Sequence, residues 1–239
     1  MEFYMHFQML QMNMLYVNCV CILKACFKRI DDNLTNLREL MLNNKSYVPR
    51  LIYYQQRCPH LLEEIKALRK EYLMVSDTVQ KLNIIFSPQV LATITIAFIE
   101  ITFELYSNTV QWHNGLSISL AKQIHNTILM SYLMYLVTKV MLIVWACETG
   151  KNQATKIGTT IHDVLNTTTD EQIKYELQLF SIQILHCNNT FFAKGLTVDA
   201  KLLTAMVNSI TTYLLILIQF LGTSHSCDGK TTINGTETF

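Results

Sequence analysis

Apolar residues are grouped into four long stretches that carry almost no charge, and each stretch predicts a membrane-spanning helix. The clearest stretch runs from Leu202 to Cys227, where 26 consecutive residues include no Asp, Glu, Lys or Arg. A helix rises about 1.5 Å per residue, so roughly 20 apolar residues are enough to cross a bilayer. The predicted spans cover approximately residues 3–23, 82–106, 123–147 and 202–221.

Between the first two spans, apolar residues recur in alternating steps of three and four, which predicts a long helix that runs into the second span. We expect this helix to start near Pro59, because proline is tolerated in a first helical turn. Two interpretations stay open: a helical hairpin within the chain, or a stalk that also contacts neighbouring subunits. The seam consists of Ile65, Leu68, Tyr72, Val75, Val79, Leu82 and Phe86.

A shorter amphipathic helix is predicted over Glu171–His186, since Ile173, Leu177, Phe180 and Ile184 fall on one stripe. A polar segment follows and leads into the last span. With few glycines and prolines to break helices, the pattern predicts an all-α fold. We therefore expect a polytopic membrane helical bundle with four spans and long helical extensions, forming one membrane domain over residues 1–239.

The distribution of basic residues predicts the orientation of the spans. Residues 24–81 contain 11 Lys and Arg and residues 149–201 contain five, against one in residues 105–122. Because basic residues are enriched in cytoplasmic segments, the regions of about 24–81 and 149–201 are predicted to form a cytoplasmic helical anchor. The tail, residues 222–239, is then extracellular, and Asn234 is the glycosylation acceptor that this topology places outside.

Composition narrows the class of protein. Half of the residues are hydrophobic and 15% are charged, whereas soluble domains carry about 25% charged residues. The net charge of +1 gives no field that would attract nucleic acid. The seven cysteines lack a metal-ligand spacing, and the sequence shows no phosphate-binding glycine loop, His-Glu-x-x-His or Gly-x-Ser-x-Gly motif. We expect a protein of the lipid bilayer that is not an enzyme and uses no metal, cofactor or nucleic acid.

The end of the last span carries the most specific pattern. Thr212 and Tyr213 are followed by five aliphatic residues and then by Gln219 and Phe220. This arrangement resembles the closing signature of insect gustatory receptors. The residues Phe192, Gly195 and Asp199 resemble the linker that precedes the last membrane helix in that family, and weaker matches extend over about residues 60–221.

The resemblance implies a split last helix and seven spans with an extracellular C-terminus. Because the charges direct the first span here from outside to inside, we expect a C-terminal portion that lacks the first three spans. The implied protein is a multi-pass receptor in the plasma membrane of chemosensory neurons. It would form a homo- or hetero-tetramer that acts as a ligand-gated, non-selective cation channel for small-molecule tastants.

In that interpretation the last helix lines the pore, with Ile216, Gln219 and Phe220 at the gate and with Thr212 and Tyr213 in helix packing. The alternatives are a truncated, non-conducting or modulatory receptor remnant and, with less support, a fragment of a G-protein-coupled receptor. The sequence does not identify the tastant.

A pair of acidic residues inside the second span suggests where a ligand would bind. Glu100 and Glu104 lie one helical turn apart and so share a face, and charge within a span is costly unless that face meets water or a counter-charge. Lys139 is a candidate partner, although it could equally reach the cytoplasmic interface. Snorkelling or interfacial contact is the alternative explanation of the two glutamates. The candidate ligand vestibule comprises Glu100, Glu104, Trp112, His125, Tyr132 and Tyr135.

Overall fold

The computed structural model describes residues 2–43, 50–113 and 120–228, and these residues are almost entirely helical. The helices are α1 (Glu2–Asn43), α2 (Arg50–His113), α3 (Leu120–Thr167), α4 (Glu171–His186) and α5 (Ala200–Asp228). Between α4 and α5 lies one small antiparallel hairpin, with β1 at Phe192–Ala193 and β2 at Leu196–Thr197. Within the described ranges, α1, α2, α3 and α5 are long and apolar enough to cross a membrane. The predicted all-helical membrane fold with four spans is confirmed.

Two sequence expectations about helix ends have different outcomes. The predicted limits of α4 are confirmed, and Asp170 caps its first turn by accepting hydrogen bonds from the backbone N–H groups of Gln172 and Ile173. The predicted start of the long helix at Pro59 is wrong, because α2 begins at Arg50 and Pro59 lies inside it. A proline inside a helix removes one backbone hydrogen bond. The other hydrogen bonds of this 64-residue helix allow it to continue through Pro59.

The helices form two compact units. The first unit comprises residues 1–91 and 143–199, and the second comprises residues 92–142 and 200–239, in each case as far as they are described. Both α2 and α3 contribute residues to both units. The limits of the spans and their orientation stay predictions.

The first unit buries the heptad-like seam of α2. All seven of its apolar residues are buried within this single chain, so the seam acts as the inner face of an intrachain helical packing. At its centre the ring of Tyr72 lies 5.7 Å from that of Phe27 on α1 and 5.6 Å from that of Phe180 on α4, measured between centroids. The stripe of α4 faces the same core, with Ile173 and Leu177 buried and Ile184 half-buried.

A buried carboxylate connects α1 with α3 in the first unit. Asp31 is 1% exposed. Its carboxylate accepts hydrogen bonds from Thr160 Oγ1 at 2.5 Å and Gln153 Nε2 at 3.4 Å, and lies 2.9 Å from Lys156 Nζ. A buried charge is tolerated only when it is paired and hydrogen-bonded, and these three partners meet that requirement.

The second unit has a smaller apolar core. Ile101 of α2, Leu136 of α3 and Ile210 of α5 are buried together, and Phe98, Leu105, Tyr132, Tyr135 and Leu214 pack around them. One side of α5 therefore packs against α2 and α3.

Candidate functional site

The predicted gate residues all lie on α5, in the C-terminal half of its apolar stretch, where most side chains are exposed. Ile210 is buried and Leu214 is half-buried in the core of the second unit, whereas residues 215–220 are exposed apart from a half-buried Leu217. Tyr213 is exposed, but its ring meets that of Phe98 edge-on at a centroid distance of 6.2 Å. The Thr212 hydroxyl donates to the backbone carbonyl of Asn208 at 2.9 Å and so stays on its own helix.

Helical spacing places the gate residues on one side of α5. Gln219 follows Ile216 by three residues and Phe220 follows it by four, which is the spacing of helical neighbours. Ile216 is 42% exposed and Phe220 is 69% exposed. In a membrane-spanning helix a side-chain amide such as that of Gln219 needs a polar partner, because hydrocarbon supplies none. This side of α5 therefore combines apolar bulk with an amide near the end of the apolar segment.

Three of the predicted vestibule residues, Glu100, Tyr132 and Tyr135, are in contact in the second unit. The Tyr132 hydroxyl donates to Glu100 Oε2 at 3.0 Å, and the rings of Tyr132 and Tyr135 are stacked at 6.3 Å with an interplanar angle of 27°. Lys139 is buried, and its Nζ lies 5.6 Å from the centroid of the Tyr135 ring. The charges of Glu100 and Lys139 thus border one pair of tyrosines, so hydrogen-bonding groups and aromatic faces are close together here.

The remaining predicted site residues are less defined. Glu104 is half-buried one turn beyond Glu100 on α2. Trp112 lies in α2 and His125 in α3, but their side chains are outside the described residues, as is Asn234. Groups of three or more His, Cys, Asp or Glu that could hold a metal ion do not occur in the described ranges.

Two polar contact sets were not predicted from the sequence. One surrounds Asp31, and the other joins Asn83 and Ser87 of α2 to the segment that precedes α5. The available signal was the same in both cases, namely a polar residue at a position where the helical period predicts burial. A buried polar residue needs a partner, but the period alone does not say which one.

Comparisons with known proteins agree on a receptor family. A family model described as "7tm Chemosensory receptor" matches residues 1–221. The Drosophila melanogaster protein described as gustatory receptor 28b is 31% identical over 156 residues, which is 63% of this chain and 33% of that protein. Gustatory receptor 28a of the same species is 27% identical over 167 residues, which is 69% of this chain and 37% of that protein. The chain thus spans about a third of the length of these curated relatives.

A solved structure shares the fold. The insect olfactory receptor OR5 from Machilis hrabei superposes with a TM-score of 0.53 at 13% identity, over 65% of this chain and 39% of the receptor. At this identity the similarity supports the helical architecture alone.

Proposed function

This chain belongs to the insect chemosensory receptor family, and on that premise we propose that it contributes to a ligand-gated, non-selective cation channel opened by small-molecule tastants. In this proposal the channel is a homo- or hetero-tetramer with α5 of each subunit facing a central axis. The side of α5 that carries Ile216, Gln219 and Phe220 forms the gate. An apolar ring can close a pore by excluding water, and an adjacent amide can coordinate a partly hydrated cation.

The observation that carries this proposal is the exposure of α5. Only 17% of the residues in its apolar window are buried, against 39% for the window of α2. On this exposed surface the amide of Gln219 lies beside the apolar Ile216 and Phe220, and hydrocarbon offers no hydrogen-bonding partner to an amide. A shared aqueous axis accounts for both the missing cover and the amide.

The expected measurement is a cation current evoked by tastant. Cells that express the full-length receptor should show an inward current with a reversal potential near zero when a panel of sugars and bitter compounds is applied. Surface expression without current for every compound and every subunit combination tested would favour the non-conducting or modulatory receptor. Current that requires a G protein would favour the G-protein-coupled alternative.

We further propose that the receptor is in the plasma membrane of chemosensory neurons with its C-terminus outside. An epitope tag after Phe239 should therefore stain unpermeabilised cells, and Asn234→Gln should abolish a glycosidase-sensitive mass shift. Asn166→Gln is the matched control, because the predicted topology places Asn166 in the cytoplasm. Staining of the tag only after permeabilisation would reverse the proposed orientation.

The tyrosine pair gives a prediction for the vestibule. Tyr132→Phe retains the ring but removes the hydroxyl that donates to Glu100. In this proposal the bond shapes the ligand site, so its loss should raise the tastant concentration for half-maximal current about tenfold, since hydrogen bonds to charged groups contribute roughly 1.5–3 kcal/mol. Tyr175→Phe, which alters an exposed tyrosine of α4, should leave the response unchanged. Equal responses of both variants and the parent would remove Tyr132 from the ligand site.

A further inference from the structure

The segment that joins α4 to α5, residues 187–199 and here called the linker, belongs to the first unit and packs against its helices along most of its length. Asn189, Phe191, Ala193 and Val198 are buried. The backbone N–H of Val198 donates to the carbonyl of Phe191 at 2.9 Å, which closes the segment around the hairpin. The linker is thus a folded element.

The turn of the hairpin has a defined geometry. β1 and β2 pair Phe192 with Thr197 and Ala193 with Leu196, which leaves Lys194 and Gly195 as a two-residue loop. Their φ angles are 46° and 88°. Positive φ at both loop positions is the pattern of a type I′ turn, whose twist matches that of the paired strands. Glycine adopts such an angle without steric cost, so Gly195 helps to keep the linker in one conformation.

One side of α2 holds this element through polar side chains. Gln80 Nε2 donates to the carbonyl of Asn188 at 2.7 Å. Asn83 donates from Nδ2 to the carbonyl of Thr190 at 2.9 Å, and its Oδ1 accepts from the backbone N–H of Phe192 at 3.3 Å. Ser87 Oγ accepts from the backbone N–H of Lys194 at 2.5 Å. Residues 80, 83 and 87 recur at helical spacing, so they share one face of α2.

Three more contacts hold the linker, one near its start, one in its middle and one at its end. Near its start, Asn189 Nδ2 donates to the buried Tyr72 hydroxyl at 2.7 Å. In the middle, the Phe191 ring packs so closely on α3 that a Cβ at Gly150 would lie 3.1 Å from it. At the end, Lys151 Nζ lies 3.9 Å from Asp199 Oδ2, and Asp199 is the residue directly before α5.

We propose that Asn83 and Ser87 are positioning residues for the gate helix, holding the linker so that a displacement of α2 reaches the first residue of α5. The inference rests on the proposed channel function. The side chains of Asn83 and Ser87 bond to backbone groups of the linker and so fix its path independently of the linker's own side chains. The linker continues directly into Ala200, the first residue of α5. A folded linker transmits a displacement that a flexible one would absorb.

Whole-cell recording of the full-length receptor tests this role. The double variant Asn83→Leu, Ser87→Ala should raise the half-maximal tastant concentration at least about fivefold, the lower end of ordinary coupling between sites. Ser76→Ala is the matched control, because Ser76 is buried on the same helix but lies about three turns from Ser87. Surface expression is measured in parallel, and current is normalised to it.

Two readouts separate positioning from a general loss of structure. Adding Phe220→Ala to the double variant should still cause tastant-independent leak, because the gate lies beyond the linker. Amide hydrogen exchange of the purified chain should become faster at Lys194 in Ser87→Ala but not in Ser76→Ala. An unchanged half-maximal concentration, with Phe220→Ala still leaking, would overturn the positioning role and leave the channel proposal intact. If the parent receptor gave no tastant-evoked current and Phe220→Ala gave no leak, the channel proposal and the positioning role would be overturned together.

Discussion

Replacing Phe220 by alanine is expected to let cations pass through the receptor without tastant. Phe220 is 69% exposed on α5, and in the proposed tetramer its ring contributes to an apolar constriction that excludes water. Removal of the Phe220 ring from every subunit widens this constriction, so dewetting no longer closes the pore. We expect tastant-independent current to rise at least about tenfold, equivalent to about 1.4 kcal/mol in the closed-to-open equilibrium. Whole-cell current in the absence of tastant measures the change.

A pair of isoleucines supplies the control for this experiment. Ile216 is 42% exposed and Ile218 is 40% exposed, yet two residues correspond to about 200° of helical rotation, which places them on opposite sides of α5. Ile216→Ala should increase the leak in the same direction as Phe220→Ala, whereas Ile218→Ala should not. Equal effects of the two isoleucine variants would indicate a general weakening of the helix and would contradict a gate on one side.

The largest effect on stability is expected for Tyr72→Ala. Tyr72 is buried between Phe27 and Phe180, and its hydroxyl accepts a hydrogen bond from Asn189. Removing a buried aromatic ring leaves a cavity and should lower the free energy of unfolding by about 3–5 kcal/mol. Unfolding of the detergent-solubilised protein, followed by size-exclusion after heating, gives the change in midpoint temperature.

Two further substitutions divide this effect into its parts. Tyr72→Phe keeps both ring contacts and leaves only the Asn189 amide without its acceptor, so the loss should be about 1–3 kcal/mol. Tyr175→Ala removes an exposed ring from α4 and should change the stability by no more than about 0.5 kcal/mol. A midpoint for Tyr72→Ala that equals that of Tyr175→Ala would contradict the packed junction of α1, α2 and α4.

The helices could be predicted from the sequence because their signals are local. The seam from Ile65 to Phe86 repeats with the helical period, and each of its residues is buried in the structure. The helix α4 follows from its apolar stripe, and in the structure Asp170 caps its first turn. The membrane helices are predicted in the same way, from the length of each apolar stretch and from its lack of charged residues.

Tertiary polar contacts could not be predicted, because they depend on which helices become neighbours. Asp31 and Thr160 are 129 residues apart in sequence, and Asn83 and Thr190 are 107 apart. Neither pair has a spacing rule that would connect it. The turn at Lys194 and Gly195 could not be predicted either, because strands of two residues are too short to show an alternating pattern.

The position of the gate could be predicted only in part. Resemblance at Tyr213, Gln219 and Phe220 pointed to α5, and helical spacing groups Ile216, Gln219 and Phe220 on one side. What this side faces depends on the assembly, because a pore axis is formed by several subunits. If this side lines a pore, water must reach the side chain of Gln219 in the open receptor.

Cysteine modification at that position is the most direct measurement. In the receptor with Gln219→Cys, a charged, membrane-impermeant thiol reagent applied during tastant activation should block or strongly reduce the current, because only a water-exposed thiolate reacts. The same reagent should leave current unchanged in Ile218→Cys and in the unsubstituted receptor, which controls for the native cysteines. Modification that affects Ile218→Cys but not Gln219→Cys would place Gln219 away from the conduction path and contradict the account.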